Sequence, residues 1–256
     1  MKFKSQNECK NSFFVKKRDV MCWVARKKSI FVQLLKSHLM NNSLYARLKN
    51  FQGCSDVTEL YDEFKKLAPV FLYGGYINVR DEYKIYIRTV EFYFHSETKE
   101  GVHDPIVYHR NGKNMDSNIA VPYFPLMTLH AHNSGFDITF ERKNLYRASA
   151  LIRAYEVVDE NGKYLKWNKG EQKFERSERY CFNTQSTYLY ILLNGFALMG
   201  NSGIEWKDSQ REQKSDLVIK SRQGVFKSES ETEYIVPKGA KEKCERKWSF
   251  TRVDEI

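Results

Sequence analysis

The chain has no apolar run of membrane-spanning length, and its first residues, Met1-Lys2-Phe3-Lys4-Ser5-Gln6-Asn7-Glu8, hold no apolar stretch of the secretory kind. Cysteine is scarce. The five that occur, Cys9, Cys22, Cys54, Cys181 and Cys244, are odd in number, widely scattered and without a C-x-x-C pair. This argues against both a disulfide framework and a cysteine-built zinc site, and a reduced, cytoplasmic protein is the expectation. Proline is sparse too: five against seventeen Phe and sixteen Tyr, a balance that favours strands. There is no internal repeat. What remains is 41% apolar and 14% aromatic, the make-up of a globular protein, and 256 residues suffice for one substantial core with terminal extensions.

Charge is unevenly placed. The formal net charge is +10; residues 1–50 hold 12 Lys/Arg against 2 Asp/Glu, and the other residues hold 30 of each sign. The whole excess therefore lies in the N-terminal fifth, a basic arm beside a neutral body. Such an arm suits a polyanion, chiefly nucleic acid, although a solvated tail or a partner-docking segment has the same composition.

Periodicity divides the chain further. In residues 29–67, Ile30, Leu34, Leu35 and His38 repeat at helical spacing. Ser55 then caps a helix whose Val57, Leu60, Tyr61, Phe64 and Leu67 share a face, and Pro69 is expected to stop it. From about residue 70 the pattern is that of strands: Val70-Phe71-Leu72-Tyr73 into Gly74-Gly75, Tyr76 to Val79, Tyr83 to His95, Pro125 to His132, Phe136 to Phe140, and Ser149 to Val158 closed by an Asp159-Glu160-Asn161-Gly162 turn. Residues 163–182 read as a charged connection, Thr187 to Met199 as an apolar return, and Val225-Phe226 and Tyr234-Ile235-Val236 as candidates for further strands. The expected fold is α+β, a curved antiparallel sheet or partial barrel with flanking helices. The expected divisions are a basic extension with a helix at 1–50, the α+β body at 51–205, and a charged segment at 206–256 packed on it.

Five of the six histidines (His95, His103, His109, His130, His132) fall within 95–132. Side chains alternate along a strand, so Glu91, Tyr93 and His95 share one face while Val90, Phe92 and Phe94 form a core face. By the same rule His130 and His132 lie opposite Leu129 and Ala131, and Asp137 lies opposite Phe136, Ile138 and Phe140. Arg153 interrupts an apolar strand and calls for a carboxylate partner. Two chemistries fit. In one, a carboxylate activates water while aromatic rings hold a planar substrate. In the other, His109, His130 and His132 with a carboxylate bind a metal that activates water. The structural alternative makes Glu91 a plain salt-bridge partner of Arg153.

Four segments carry a resemblance: Leu67-Ala68-Pro69-Val70-Phe71-Leu72-Tyr73-Gly74-Gly75-Tyr76-Ile77-Asn78-Val79, Arg88-Thr89-Val90-Glu91-Phe92-Tyr93, Asp104-Pro105-Ile106-Val107-Tyr108-His109-Arg110, and Ala150-Leu151-Ile152-Arg153-Ala154-Tyr155-Glu156-Val157. In this order, over roughly residues 60–160, they resemble the methylpurine-DNA glycosylases, whose fold is shared by formyltransferase C-terminal domains. The resemblance implies base excision in DNA repair. Glu91 would be the general base, Tyr93 a base-stacking ring, His109 a base contact and Arg153 the arginine near the catalytic water, while the resemblance implies no cofactor. DNA would be the partner and a flipped-out base the substrate. One strand departs from the family. Where it carries tyrosines and a wedge residue, this chain has Leu129-His130-Ala131-His132-Asn133-Ser134-Gly135-Phe136-Asp137. Imidazoles stand where the family has tyrosines, and His95, His130, His132 and Asp137 are candidates for substrate contact. The substrate is open accordingly: another base, a single strand or a free nucleotide. A non-catalytic nucleic-acid-binding module of the same fold is the alternative reading.

Overall fold

The computed structural model describes residues 43–104, 106–107, 120–132, 135–183, 192, 203–209, 211, 213, 216–222 and 246–253. The chain divides into two compact units, residues 1–43 and 44–256, and every helix and strand among the described residues belongs to the second. The expected helix at Ile30 to His38, the apolar return at 187–199 and the strands at 225–226 and 234–236 lie outside the described residues.

Among the described residues the architecture is α+β, with a curled antiparallel half-barrel sheet and two helices. Helix α1 (Leu44–Asn50) is short, and it buries Leu44 and Leu48, one turn apart. Phe51 follows it into the core, with its ring edge-on to Phe94, Phe140 and Tyr146. Helix α2 (Val57–Tyr73) is capped by Asp56, whose Oδ1 accepts from the backbone N–H groups of Thr58 (2.7 Å) and Glu59 (3.1 Å). The cap is therefore one residue later than Ser55.

Pro69 does not end the helix. It lies inside α2, and Val70 to Tyr73 are helical rather than a strand. A proline forfeits one backbone hydrogen bond. Here the turn it interrupts buries Ala68, Phe71 and Leu72 against the sheet, and that burial outweighs the loss.

Two 14-residue strands, β2 (Tyr83–Ser96) and β5 (Tyr146–Asp159), pair along their whole length and form the spine of the sheet. Strand β1 (Gly75–Val79) pairs with the start of β2, and β11 (Ser249–Thr251) with its middle. Strands β4 (Gly135–Thr139) and β3 (Leu129–His132) extend the sheet beyond β5, while β8 (Phe182–Asn183) pairs further along β5. Strands β9 (Ile204–Asp208) and β10 (Val218–Lys220) lie outside β1 and β11 respectively. A Cβ on Gly75 would collide with the Lys207 carbonyl oxygen, so only glycine lets β9 come this close to β1.

Residues 163–182, expected as a connection, contain a separate hairpin of β6 (Leu165–Asn168) and β7 (Lys173–Arg176). Its solvent-facing lysines hide the alternation of Leu165, Trp167 and Phe174, which turn inward. The Asp159–Gly162 turn forms as expected, with Gly162 at φ 77° and its N–H donating to the Asp159 carbonyl.

The spine is buried on both faces, and the two covers differ. On one face α2 lays Phe64 flat on Phe92 (4.5 Å between ring centres), with Phe71, Trp248 and Phe250 around them. The opposite face is covered near the start of β2 by the β6–β7 hairpin, through the Tyr83–Phe174 ring pair. Near the end of β2 it is covered by residues 97–104 and 121–124, which gather around His95 and Arg147. The candidate site lies between those two covers.

Candidate functional site

Register places the polar residues in one row. Leu151 on β5 stands opposite Glu91 on β2 and also opposite Asp137 on β4, while Tyr93 stands opposite Ser149 and Asp137 opposite His130. Directly paired residues project to the same face. Glu91, Tyr93, Ser149, Arg153, Asp137, His130 and His132 thus occupy the face opposite α2, while their neighbours Val90, Phe92, Ala150, Ile152 and Ile138 fill the core.

The first half of the row is built on Glu91. Its side chain is fully buried, and Oε2 accepts two hydrogen bonds, from Arg153 Nε at 2.7 Å and from the Tyr93 hydroxyl at 3.0 Å. Burial and the neighbouring Glu91 charge push the Tyr93 phenol far above its ordinary range, so it stays protonated and donates. Burial works against the Arg153 cation, but Tyr93 and Glu91 more than offset it and raise its pKa. The spine pairing is irregular here, between Ile87 and Val90, next to where Arg153 leaves β5. The guanidinium of Arg222 lies over the other side of the unit, 4.7 Å from the Tyr93 ring centre, and is itself paired with buried Asp104 at 2.6 Å.

Asp137 anchors the second half. Its Oδ2 accepts from Ser149 Oγ at 2.8 Å, and its Oδ1 lies 3.1 Å from His132 Nε2. Burial would push this carboxyl up, yet the close approach and charge of His132, the hydrogen bond from Ser149 and the charge of His130 hold it below the usual aspartate value. The rings of Phe124, His130 and His132 follow one another along the edge, with centres 4.2 Å and 5.9 Å apart.

The site residues expected from sequence thus fall into three groups. Glu91, Tyr93 and Arg153 form one unit, and His130, His132 and Asp137 form a second, joined to the first across the Tyr93–Ser149 pair. His95 shares their face but is engaged elsewhere: its Nδ1 is 3.1 Å from both the backbone N and O of Asp104, and its ring is 5.1 Å from His103. His109 lies outside the described residues. Among the described residues, no three His, Cys, Asp or Glu side chains converge as a metal site would require.

Ser149 and Arg147 belong to the polar face without standing in any motif of the sequence. The signal that finds them is the alternation of β5, extended back from Arg153 through Leu151. Arg147 is fully buried and bonded to Glu97, Glu141 and the carbonyls of Val121 and Pro122, with the Tyr123 ring 3.7 Å from its guanidinium carbon.

No protein-family model matches the chain, and neither a curated protein nor a solved structure matches it significantly. No helix among the described residues is long and apolar enough to cross a membrane.

Proposed function

We propose that the protein is a DNA glycosylase-type hydrolase that cleaves the N-glycosidic bond of a modified purine, with Glu91 as the base that activates water. The observation that carries this reading is the double hydrogen bond to Glu91 Oε2 from Arg153 and Tyr93. It fixes one carboxylate, beside an arginine and a phenol, on the polar side of a rigid two-strand spine. Breaking a glycosidic bond builds positive charge on the sugar, and a carboxylate held in a dry site stabilises that charge while taking a proton from water. Arg153 orients the carboxylate, and the Tyr93 ring offers a flat surface for the base. The basic residues of 1–50 supply attraction for the phosphate backbone.

The test is release of free base from single-stranded and duplex oligonucleotides carrying alkylated or deaminated purines, followed by chromatography. Purified protein should release base, and Glu91→Gln should lower the rate by about a hundredfold or more. Absence of release from every substrate, or a variant as active as the parent, sinks the proposal. The complete burial of Glu91 favours a second reading, a nucleic-acid-binding module without turnover. Salt-sensitive binding with no base release from any substrate would select it.

A further inference from the structure

We propose that Arg211, Lys84 and Lys207 form a binding site for the phosphate backbone of a nucleic-acid strand, on the side of the sheet opposite Glu91. The site goes beyond the hydrolase reading and does not rest on it. Register lines up its residues. Lys207 on β9 stands opposite Tyr76 on β1, the Ile77–Ile85 pair brings Tyr76 beside Tyr86 on β2, and Tyr86 stands opposite Glu156 on β5. Directly paired residues project to one face. Arg252 ties that face to the end of α2, donating through Nη2 to Glu156 (2.8 Å) and through Nη1 to the Leu72 carbonyl (3.4 Å). The row therefore lies on the α2 side of the spine, just past the last turn of the helix.

Two rings hold two cations in place. The ring centres of Tyr76 and Tyr86 are 5.3 Å apart. Lys84 Nζ sits 5.7 Å from the Tyr76 centre, and Arg211 Cζ lies 3.3 Å from the Tyr86 centre. The main chain of Arg211 is fixed as well, its N–H donating to the Tyr73 carbonyl at 2.8 Å. All four side chains are half-buried, so they are ordered and still reach solvent. Among the described residues, neither Lys84 nor Arg211 has a carboxylate or a hydrogen-bond acceptor for its side chain. A guanidinium lying flat on a ring keeps its in-plane N–H donors for an acceptor beside it.

The carboxylates around the patch do not cancel its charge. Glu156 is buried and already shared by Arg88, Arg179 and Arg252. Asp208 accepts from the Leu44 N–H and from Trp206 Nε1, and Asp81 accepts from Asn78. Glu205 pairs with Lys207 at 2.5 Å, but both side chains are exposed, and such a pair is weak enough to exchange for a phosphate. Burial lowers the pKa of Arg252, and the charges of Arg211 and Arg179 lower it further against the pull of Glu156, as an excess of positive charge requires. Fixed cations in excess of carboxylates are what a polyanion neutralises. Here they are spread along the Lys207–Tyr76–Tyr86 row instead of converging on one point, which suits successive phosphates of a strand better than a lone phosphate. The basic excess of residues 1–50 adds attraction of the same sign.

The experiment measures binding of a fluorescent single-stranded oligonucleotide to the full chain by anisotropy at several salt concentrations. The double variant Lys84→Gln/Arg211→Gln should weaken binding by about tenfold or more. It should also lower the slope of log K against log salt by about 1.4, for two phosphate contacts at about 0.7 each. Arg211→Lys, which keeps the charge, should retain most of that slope. Lys166→Gln/Lys169→Gln removes two exposed charges from the β6–β7 hairpin and should leave affinity and slope unchanged. Should the double variant fail to fold by circular dichroism, Lys84→Gln by itself should lower the slope by about 0.7. The proposal is overturned if the hairpin variant loses as much as the double variant, or if the parent binds no oligonucleotide. It is overturned equally if inorganic phosphate or anionic phospholipid vesicles, and not the oligonucleotide, bind through Lys84 and Arg211. Base release, scored with Glu91→Gln, is read separately.

Discussion

The two faces of the β2–β5 spine are built from alternate residues of the same two strands, yet they solve different problems. On the α2 side, Val90, Phe92, Phe94, Ala150 and Ile152 meet Phe64 and Phe71, and the ordering force is removal of apolar surface from water. On the other side, Glu91, Tyr93, Arg153, Ser149 and Asp137 are ordered by hydrogen bonds and charge, which are directional and costly to leave incomplete. The first face makes the second possible. A packed aromatic cluster fixes the backbone, so the polar side chains inherit their positions at little entropic cost. The polar face itself has two parts. Arg147 has two carboxylates, two carbonyls and a ring around it, sealed within the protein. Arg153 pairs with Glu91 and keeps 12% of its side chain exposed.

Substitutions at neighbouring positions can break this contrast. Phe92→Ala should cost about 3–5 kcal/mol of stability in urea unfolding, because it removes the ring stacked on Phe64 and leaves a cavity. Arg147→Ala should cost about as much, roughly 3–5 kcal/mol, by stranding Glu97 and Glu141 without their cation. If Arg147→Ala proved nearly neutral, the sealed part of the polar face would not be structural.

One residue away from Phe92, Glu91→Gln keeps the shape and should lose only about 2 kcal/mol, from weakening one charged hydrogen bond to Arg153. A larger stability loss than for Phe92→Ala would reverse the division of labour between the faces.

Asp137 should show itself through pH. Its folded-state pKa lies below the ordinary 3.8, so its contribution is fully present above that pH and disappears as pH falls through the lower folded value. Stability of the parent relative to Asp137→Asn should therefore shrink between pH 5 and pH 3, about the range around the unfolded pKa, as unfolding curves at the two pH values would show. An unchanged difference would mean that His132 and Ser149 do not hold the carboxylate ionised. The smallest effect, about 1 kcal/mol, is expected at Asp56→Ala, which removes the α2 cap far from either face.

Much of the site is legible in the sequence. Glu91, Tyr93 and His95 on one face, Phe92 and Phe94 on the other, and the need of Arg153 for a carboxylate all come from a period of two and the cost of burying charge. Less of the surroundings is legible. Pro69 and the run Val70 to Tyr73 read locally as a helix stop and a strand, but packing against the sheet keeps them helical. The β6–β7 hairpin is concealed by its lysines, whose charge says solvent without saying strand or loop.

The sequence by itself determined which residues share a face and where the spine turns at Asp159–Gly162, because alternation and turn chemistry are local properties of the backbone. Tertiary structure alone decided who meets whom across the sheet. That Asp137 takes both Ser149 and His132, that Glu91 receives Tyr93 as well as Arg153, and that His95 turns to Asp104 depend on strand order and register. Those are set by the fit of the whole core, and a slip of one residue in any pairing would have sent each of these side chains to the other face.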